Sequence, residues 1–85
     1  LARALDWIGE HAPELLIVSL GLDAWRHDPL GGLRVGVVGY AAMGERLRAF
    51  ASRRCGERLL VVLEGGYDVA ALPQLAAAFL LGDEG

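Results

Sequence analysis

The chain has 85 residues, 54% apolar and 7% aromatic, with 11 acidic and 8 basic side chains for a net charge of −3. That length allows at most one small domain with a marginal core, and an acidic balance without a basic stripe gives no electrostatic footing for direct nucleic-acid binding. No apolar run approaches the roughly 20 residues that span a bilayer, no signal-peptide pattern opens the chain, and the lone Cys55 cannot form an internal disulfide, so a reducing, cytoplasmic setting is expected.

Leu1, Leu5 and Ile8 recur at helical spacing with Trp7 beside them, and Pro13 is expected to end that helix. The chain opens on Leu in what already reads as a mid-domain helix, so a piece of a longer protein is expected. Residues 15–20 are a continuous apolar run broken only by Ser19, the pattern of a buried parallel strand. A long loop, 21–36, carries Asp28-Pro29 and Gly31-Gly32 as turn signals. Tyr40, Met43, Leu47 and Phe50 then share one helical stripe, which predicts a helix from about 37 to 54 with these side chains in the core. Arg46, Arg48, Arg53, Arg54 and Arg58 read as its solvated face and end, where cations complement the helix dipole. Cys55-Gly56-Glu57 stops this helix, and residues 59–63 form a second apolar strand. Residues 64–68 are its exit loop. A last helix is expected from about 70 to 81, with Pro73 in its first turn. The order α-β-α-β-α predicts an α/β fold whose parallel strands are joined by a right-handed crossover.

In open α/β sheets, chemistry collects just beyond the carboxyl ends of the strands. Asp23 stands there after the first strand, and Glu64, Gly65, Gly66 and Tyr67 stand there after the second. Two readings compete for these loops. In one, residues 33–44 form a strand, a glycine-rich turn and a helix start for a dinucleotide, with Glu64 as the ribose carboxylate. Ala41 occupies the middle glycine position of that motif, where the backbone must approach a pyrophosphate closely, and the run 15–20 is left without a role. In the other, the loops serve metal-assisted hydrolysis. A catalytic zinc takes three protein ligands and leaves a position for water, and the substrate carbonyl needs an oxyanion donor. Asp23 offers a ligand and the Tyr67 hydroxyl a donor, with Gly65 and Gly66 giving the tyrosine freedom to swing inward.

At these residues the chain resembles a known family. Ser19-Leu20-Gly21-Leu22-Asp23, Asp28-Pro29-Leu30, Gly39-Tyr40-Ala41-Ala42-Met43-Gly44 and Leu63-Glu64-Gly65-Gly66-Tyr67-Asp68-Val69 are similar to the C-terminal part of the zinc-dependent, histone deacetylase-like amidohydrolases. Within that family they look most like the acetylpolyamine amidohydrolase branch. The resemblance implies a three-layer α/β/α fold of the arginase/deacetylase type with a parallel sheet, of which residues 1–85 would be a C-terminal α-β-α-β-α portion of a single domain. It implies Zn²⁺ as cofactor, Asp23 as a zinc ligand, Tyr67 as the carbonyl-polarising hydroxyl, and Gly65 and Gly66 in the pocket wall. The implied substrate is a small acylated amine or acetyl-lysine, with no direct nucleic acid or membrane partner and with the oligomeric state open. The family's proton-handling histidines and its Asp-x-His motif have no counterpart here: neither His11 nor His27 sits in a matching motif. The fragment alone is therefore expected to be inactive. Trp25 stands where many members carry His, and the Thr expected before the long helix is absent, which removes a helix cap.

Plainer readings exist for each residue. Asp23 can cap a turn, and Tyr67 can pack half-buried on the sheet. Asp28 before Pro29 reads first as a turn former, with a supporting role in the site. Trp25 either lines the pocket mouth or covers the strand ends. Glu64 is expected to accept hydrogen bonds from neighbouring loops, His27 to face solvent, and Arg26 to pair weakly with Asp28. The alternative function is a non-catalytic small-molecule or partner-binding domain of the same fold.

Overall fold

The structure, a computed structural model, describes residues 1–28, 31 and 34–82. Pro29, Leu30, Gly32 and Leu33, read above as turn, motif or strand residues, lie outside the described residues. The elements are α1 (Ala2–Gly9), β1 (Leu16–Leu20), α2 (Val37–Arg54), β2 (Leu59–Leu63) and α3 (Leu72–Leu81). Their order is the expected one. Helix α1 stops at Gly9, ahead of Pro13, because Glu10 and His11 already turn and Ala12 takes a positive φ of 49°.

Strands β1 and β2 pair in parallel from Leu16 opposite Leu59 to Leu20 opposite Leu63. A parallel pair needs a long crossover, and α2 supplies it. The helix begins at Gly36, which makes no side-chain cap, as the missing Thr implies. It ends at Cys55, beyond which Gly56 and Glu57 take φ of 57° and 65° and the Glu57 N–H returns to the Ala51 carbonyl at 2.9 Å. That left-handed exit turns the chain into β2.

One core joins the elements. Leu5 of α1, Leu16 and Leu20 of β1, Tyr40, Leu47, Phe50 and Ala51 of α2, and Leu75 and Phe79 of α3 are all buried in it. Met43 on the same stripe is half-buried against it. Each fully buried Leu or Phe contributes about 1.5–3 kcal/mol. Arg48 departs from the solvated face expected for the arginines, since its guanidinium donates to the Phe79 carbonyl and joins α2 to α3. Arg46, Arg53, Arg54 and Arg58 are exposed as expected, and Arg58 Nε–H donates to the Glu14 carbonyl.

The strands differ from their sequence reading in one respect. Apolar runs interrupted only by Ser19 predict strands covered on both faces, yet Ile17, Leu60 and Val62 are exposed. The register puts Ile17 beside Leu60 and Ser19 beside Val62, so these residues share one face. The core described above gathers on the opposite face, which carries Leu16 and Leu20. Among the described residues, the sheet is therefore covered on one side.

Candidate functional site

Both strands exit at the same edge, and the hydrogen-bond ladder continues past them. The Glu64 N–H donates to the Leu20 carbonyl at 2.9 Å, and the Leu22 N–H donates to the Gly65 carbonyl at 2.7 Å. The loop holding Asp23 is thereby laced to the loop holding Tyr67. Leu22 is buried in the core and anchors the crossing.

Asp23 follows that anchor, half-buried, with glycines around it. A Cβ on Gly21 would come within 2.7 Å of Asp23 Oδ1, and one on Gly65 within 2.9 Å of Oδ2. These glycines leave the carboxylate its space. Gly31 passes beneath the same residue, where a Cβ would collide with the Asp23 carbonyl oxygen. At Gly66 (φ 150°) a Cβ would press on Leu72 and Leu22. The sequence suggests that Gly65 and Gly66 give Tyr67 freedom. The structure shows that they are where two loops close on each other, with hydrogen bonds to the Gly65 carbonyl and the Tyr67 N–H on either side.

The next residues brace the loop. Val35 N–H donates to the Ala24 carbonyl (2.9 Å) and Arg26 N–H to the Val35 carbonyl (3.0 Å), closing a short parallel bridge. Trp25, for which the sequence leaves the pocket mouth and the cover of the strand ends both open, belongs to the core cluster. It is buried, and its indole Nε1–H donates to Asp68 Oδ2 at 2.9 Å. His27 lies edge-on to that indole at 5.2 Å between ring centres, and the Arg26 guanidinium lies 5.3 Å from its centre. Arg26 is thus engaged with the tryptophan face.

Asp28 is 8% exposed, and its role exceeds that of a local turn. Oδ1 accepts the Gly31 N–H at 2.9 Å, which is the turn the sequence implies. Oδ2 accepts the Tyr67 N–H at 2.7 Å, across 39 positions of chain. The Tyr67 ring itself is half exposed. Glu64 is exposed as well, and its contribution is through the backbone; its side chain accepts no hydrogen bond from a described residue.

Tyr40 and Asp68 belong to the site, although the sequence assigns Tyr40 a place in a family-like motif and in the core but no role in the site, and Asp68 only a place in the exit loop. Tyr40 is buried near the start of α2, and its hydroxyl donates to the Gly21 carbonyl at 3.1 Å, supporting the chain two residues before Asp23. Burial raises its pKa above the ordinary phenol value, and the Asp23 charge pushes the same way. A tyrosine in an otherwise apolar stripe is the available signal, since a buried hydroxyl seeks a partner. No sequence pattern distinguishes Asp68.

The glycine-rich stretch 36–44 is the start and interior of α2, with Gly36 at its cap. That overturns the dinucleotide reading, which requires a turn there. A separate open groove of about 580 Å³ lies between α1 and the C-terminal half of α2, lined by Asp6, Glu10, Arg46 and Arg53 among others. It is formed at the far end of α2 from Tyr40 and shares no residue with the strand exits.

The donor set can be weighed against zinc. Asp23 presents a hard oxygen donor in a glycine-cleared space and accepts no hydrogen bond from a described residue, which fits one position of a catalytic zinc shell. Among the described residues no three His, Cys, Asp or Glu side chains gather as a complete metal site. Nor is any helix among them long and apolar enough to cross a membrane.

Comparison with known proteins adds to this geometry. Residues 2–82 match the family described as the histone deacetylase domain. The chain is 38% identical over 76 residues to type-2 histone deacetylase 1 of Dictyostelium discoideum, covering 89% of this chain and 5% of that protein. It is 38% identical over 78 residues to acetylpolyamine amidohydrolase 1 of Pseudomonas aeruginosa, covering 92% of this chain and 21% of that one. Among solved structures, it superposes on an acetylpolyamine aminohydrolase from Burkholderia pseudomallei with a TM-score of 0.79 and 31% identity, over 95% of this chain and 22% of that chain. The chain thus spans about a fifth or less of the length of these relatives.

Proposed function

The chain belongs to the histone deacetylase domain family, and from that membership we propose that it carries part of the active site of a zinc-dependent amidohydrolase that removes an acetyl group from an acylated amine. The observation that carries the reading is the lacing of the two strand exits, which puts the Asp23 loop and the Tyr67 loop together at one sheet edge. The substrate class is an acetylated small amine or acetyl-lysine, as the names of the relatives suggest. Residues 1–85 form a C-terminal part of one such domain in this proposal, and the buried free thiol of Cys55 accords with a cytoplasmic protein.

Asp23 would hold the metal as one of its three protein ligands. When bound, zinc supplies Lewis acidity and a water of lowered pKa. The rest falls to the chain. Tyr67 donates its phenolic O–H to the substrate carbonyl oxygen and stabilises the negative charge that develops there. Gly65 keeps the wall beside the Asp23 carboxylate clear, and Gly66 and Trp25 close the loops behind it. Other ligands and the groups that move the proton come from outside the 85 residues, so the chain alone is inactive.

The test is hydrolysis of acetylputrescine and of an acetyl-lysine peptide by the zinc-loaded full-length protein. Tyr67→Phe is expected to lower kcat by roughly 10²–10³-fold, the usual cost of losing one oxyanion donor. Asp23→Ala is expected to abolish turnover and reduce bound zinc. Unchanged turnover in either variant overturns the assignment of that residue. Binding of the acetylated amine without hydrolysis by the zinc-loaded wild type would point to a binding domain instead.

A further inference from the structure

Among the described residues, three hydrogen bonds join the loop that follows β1 to the loop that follows β2. One is between backbones, Leu22 N–H to the Gly65 carbonyl. The other two depend on side chains and bracket Tyr67: Asp28 Oδ2 accepts the Tyr67 N–H at 2.7 Å, and Asp68, the residue after Tyr67, accepts the Trp25 indole N–H at 2.9 Å. Asp28 reaches in two directions. Its Oδ1 holds the Gly31 N–H at 2.9 Å, and Gly31 lies directly against the Asp23 carbonyl. A single carboxylate therefore connects the backbone beneath Asp23 to the backbone of Tyr67.

We propose that Asp28 is a positioning residue that sets where the Tyr67 hydroxyl stands relative to Asp23, with the Trp25–Asp68 hydrogen bond as a second tie. The inference rests on the reading of Tyr67 as the oxyanion donor. An ionised carboxylate only accepts, so each of its oxygens suits one of the two N–H groups. Asparagine has the same shape but one oxygen and one NH₂ group. In either orientation it faces one of these backbone donors with another donor. Such charge-assisted hydrogen bonds are among the stronger ones, and a displacement of about 1 Å at a reacting group costs on the order of 10²-fold in rate.

The experiment uses the zinc-loaded full-length protein and an acetylated amine. Asp28→Asn is expected to lower kcat by about ten- to a hundredfold, with KM and bound zinc little changed. In the zinc-free protein, the Tyr67 amide proton is expected to exchange with solvent faster in the variant. Combined with Tyr67→Phe, the same change is expected to have almost no further effect, because no hydroxyl remains to be placed. Trp25→Phe removes only the indole donor and serves if Asp28→Asn does not fold. It is expected to lower kcat less, and again only while the Tyr67 hydroxyl is present. Losses that are equal with and without the Tyr67 hydroxyl overturn the proposal and leave the role of Tyr67 intact. If Tyr67→Phe alone has normal turnover, the underlying reading fails, and the proposal with it.

Discussion

Tyr40 links a core position to the chemistry at the sheet edge. Its ring fills the interior while its hydroxyl donates to the Gly21 carbonyl, two residues before Asp23. Tyr40→Phe keeps the ring and removes the donor, so it is expected to cost about 1 kcal/mol, seen as a lower urea midpoint near pH 7. The pH dependence has a defined sign. Burial first, then the charge of Asp23, raises the Tyr40 pKa above the usual value of about 10. A group whose pKa is raised by folding contributes stability that is intact below the unfolded value and is lost as pH rises through the folded one. The wild type should therefore lose stability above about pH 10, and Tyr40→Phe should lose less over that interval. Urea midpoints falling equally in both proteins at alkaline pH would show that Tyr40 stays unionised or is not the group responsible.

At the scale of elements, α2 is the most legible in the sequence and its contact with α3 the least. The stripe of Tyr40, Leu47 and Phe50 and the Cys55-Gly56-Glu57 stop mark both ends of α2, because helical periodicity and left-handed exits are local properties. The paired apolar runs likewise imply parallel strands. Asp28 is legible only in part. Its turn with Gly31 is local, but its bond to Tyr67 spans 39 residues, and no spacing rule encodes that distance. Gly44 misleads: it looks like part of a phosphate loop and is a crossing point between helices. A Cβ there would sit 1.8 Å from the Phe79 carbonyl oxygen. Gly44→Ala should favour the isolated helix by about 1 kcal/mol, yet overpacking typically costs about 1–3 kcal/mol, and the obstacle is backbone. The expected net result is destabilisation. Gly39→Ala in the same helix meets only the Val35 side chain at 3.0 Å, which can rotate. A melting temperature for Gly44→Ala at or above that of Gly39→Ala would refute the crossing-point role.

For the whole molecule, the deciding feature is the face of the sheet opposite the core. Ile17, Leu60 and Val62 lie together there and are exposed, on two strands whose sequences carry almost no polar residue. A small domain already buries a limited fraction of its surface, and contiguous exposed apolar patches promote association. The 85-residue chain produced alone should therefore self-associate or bind a hydrophobic dye such as ANS, while retaining the helical circular dichroism of α2 and α3. Leu60→Lys places a charge at the centre of that face without touching the core on the other side. In the isolated chain it should reduce light scattering and dye binding and leave the helical signal unchanged. The same substitution in the full-length protein separates two situations. If the face is buried there, the lysine loses its hydration and lowers the stability by the several kcal/mol typical of an unpaired buried charge; if the face is solvent-exposed there too, stability changes little. A Leu60→Lys fragment that still scatters like the parent would show that association runs through another surface.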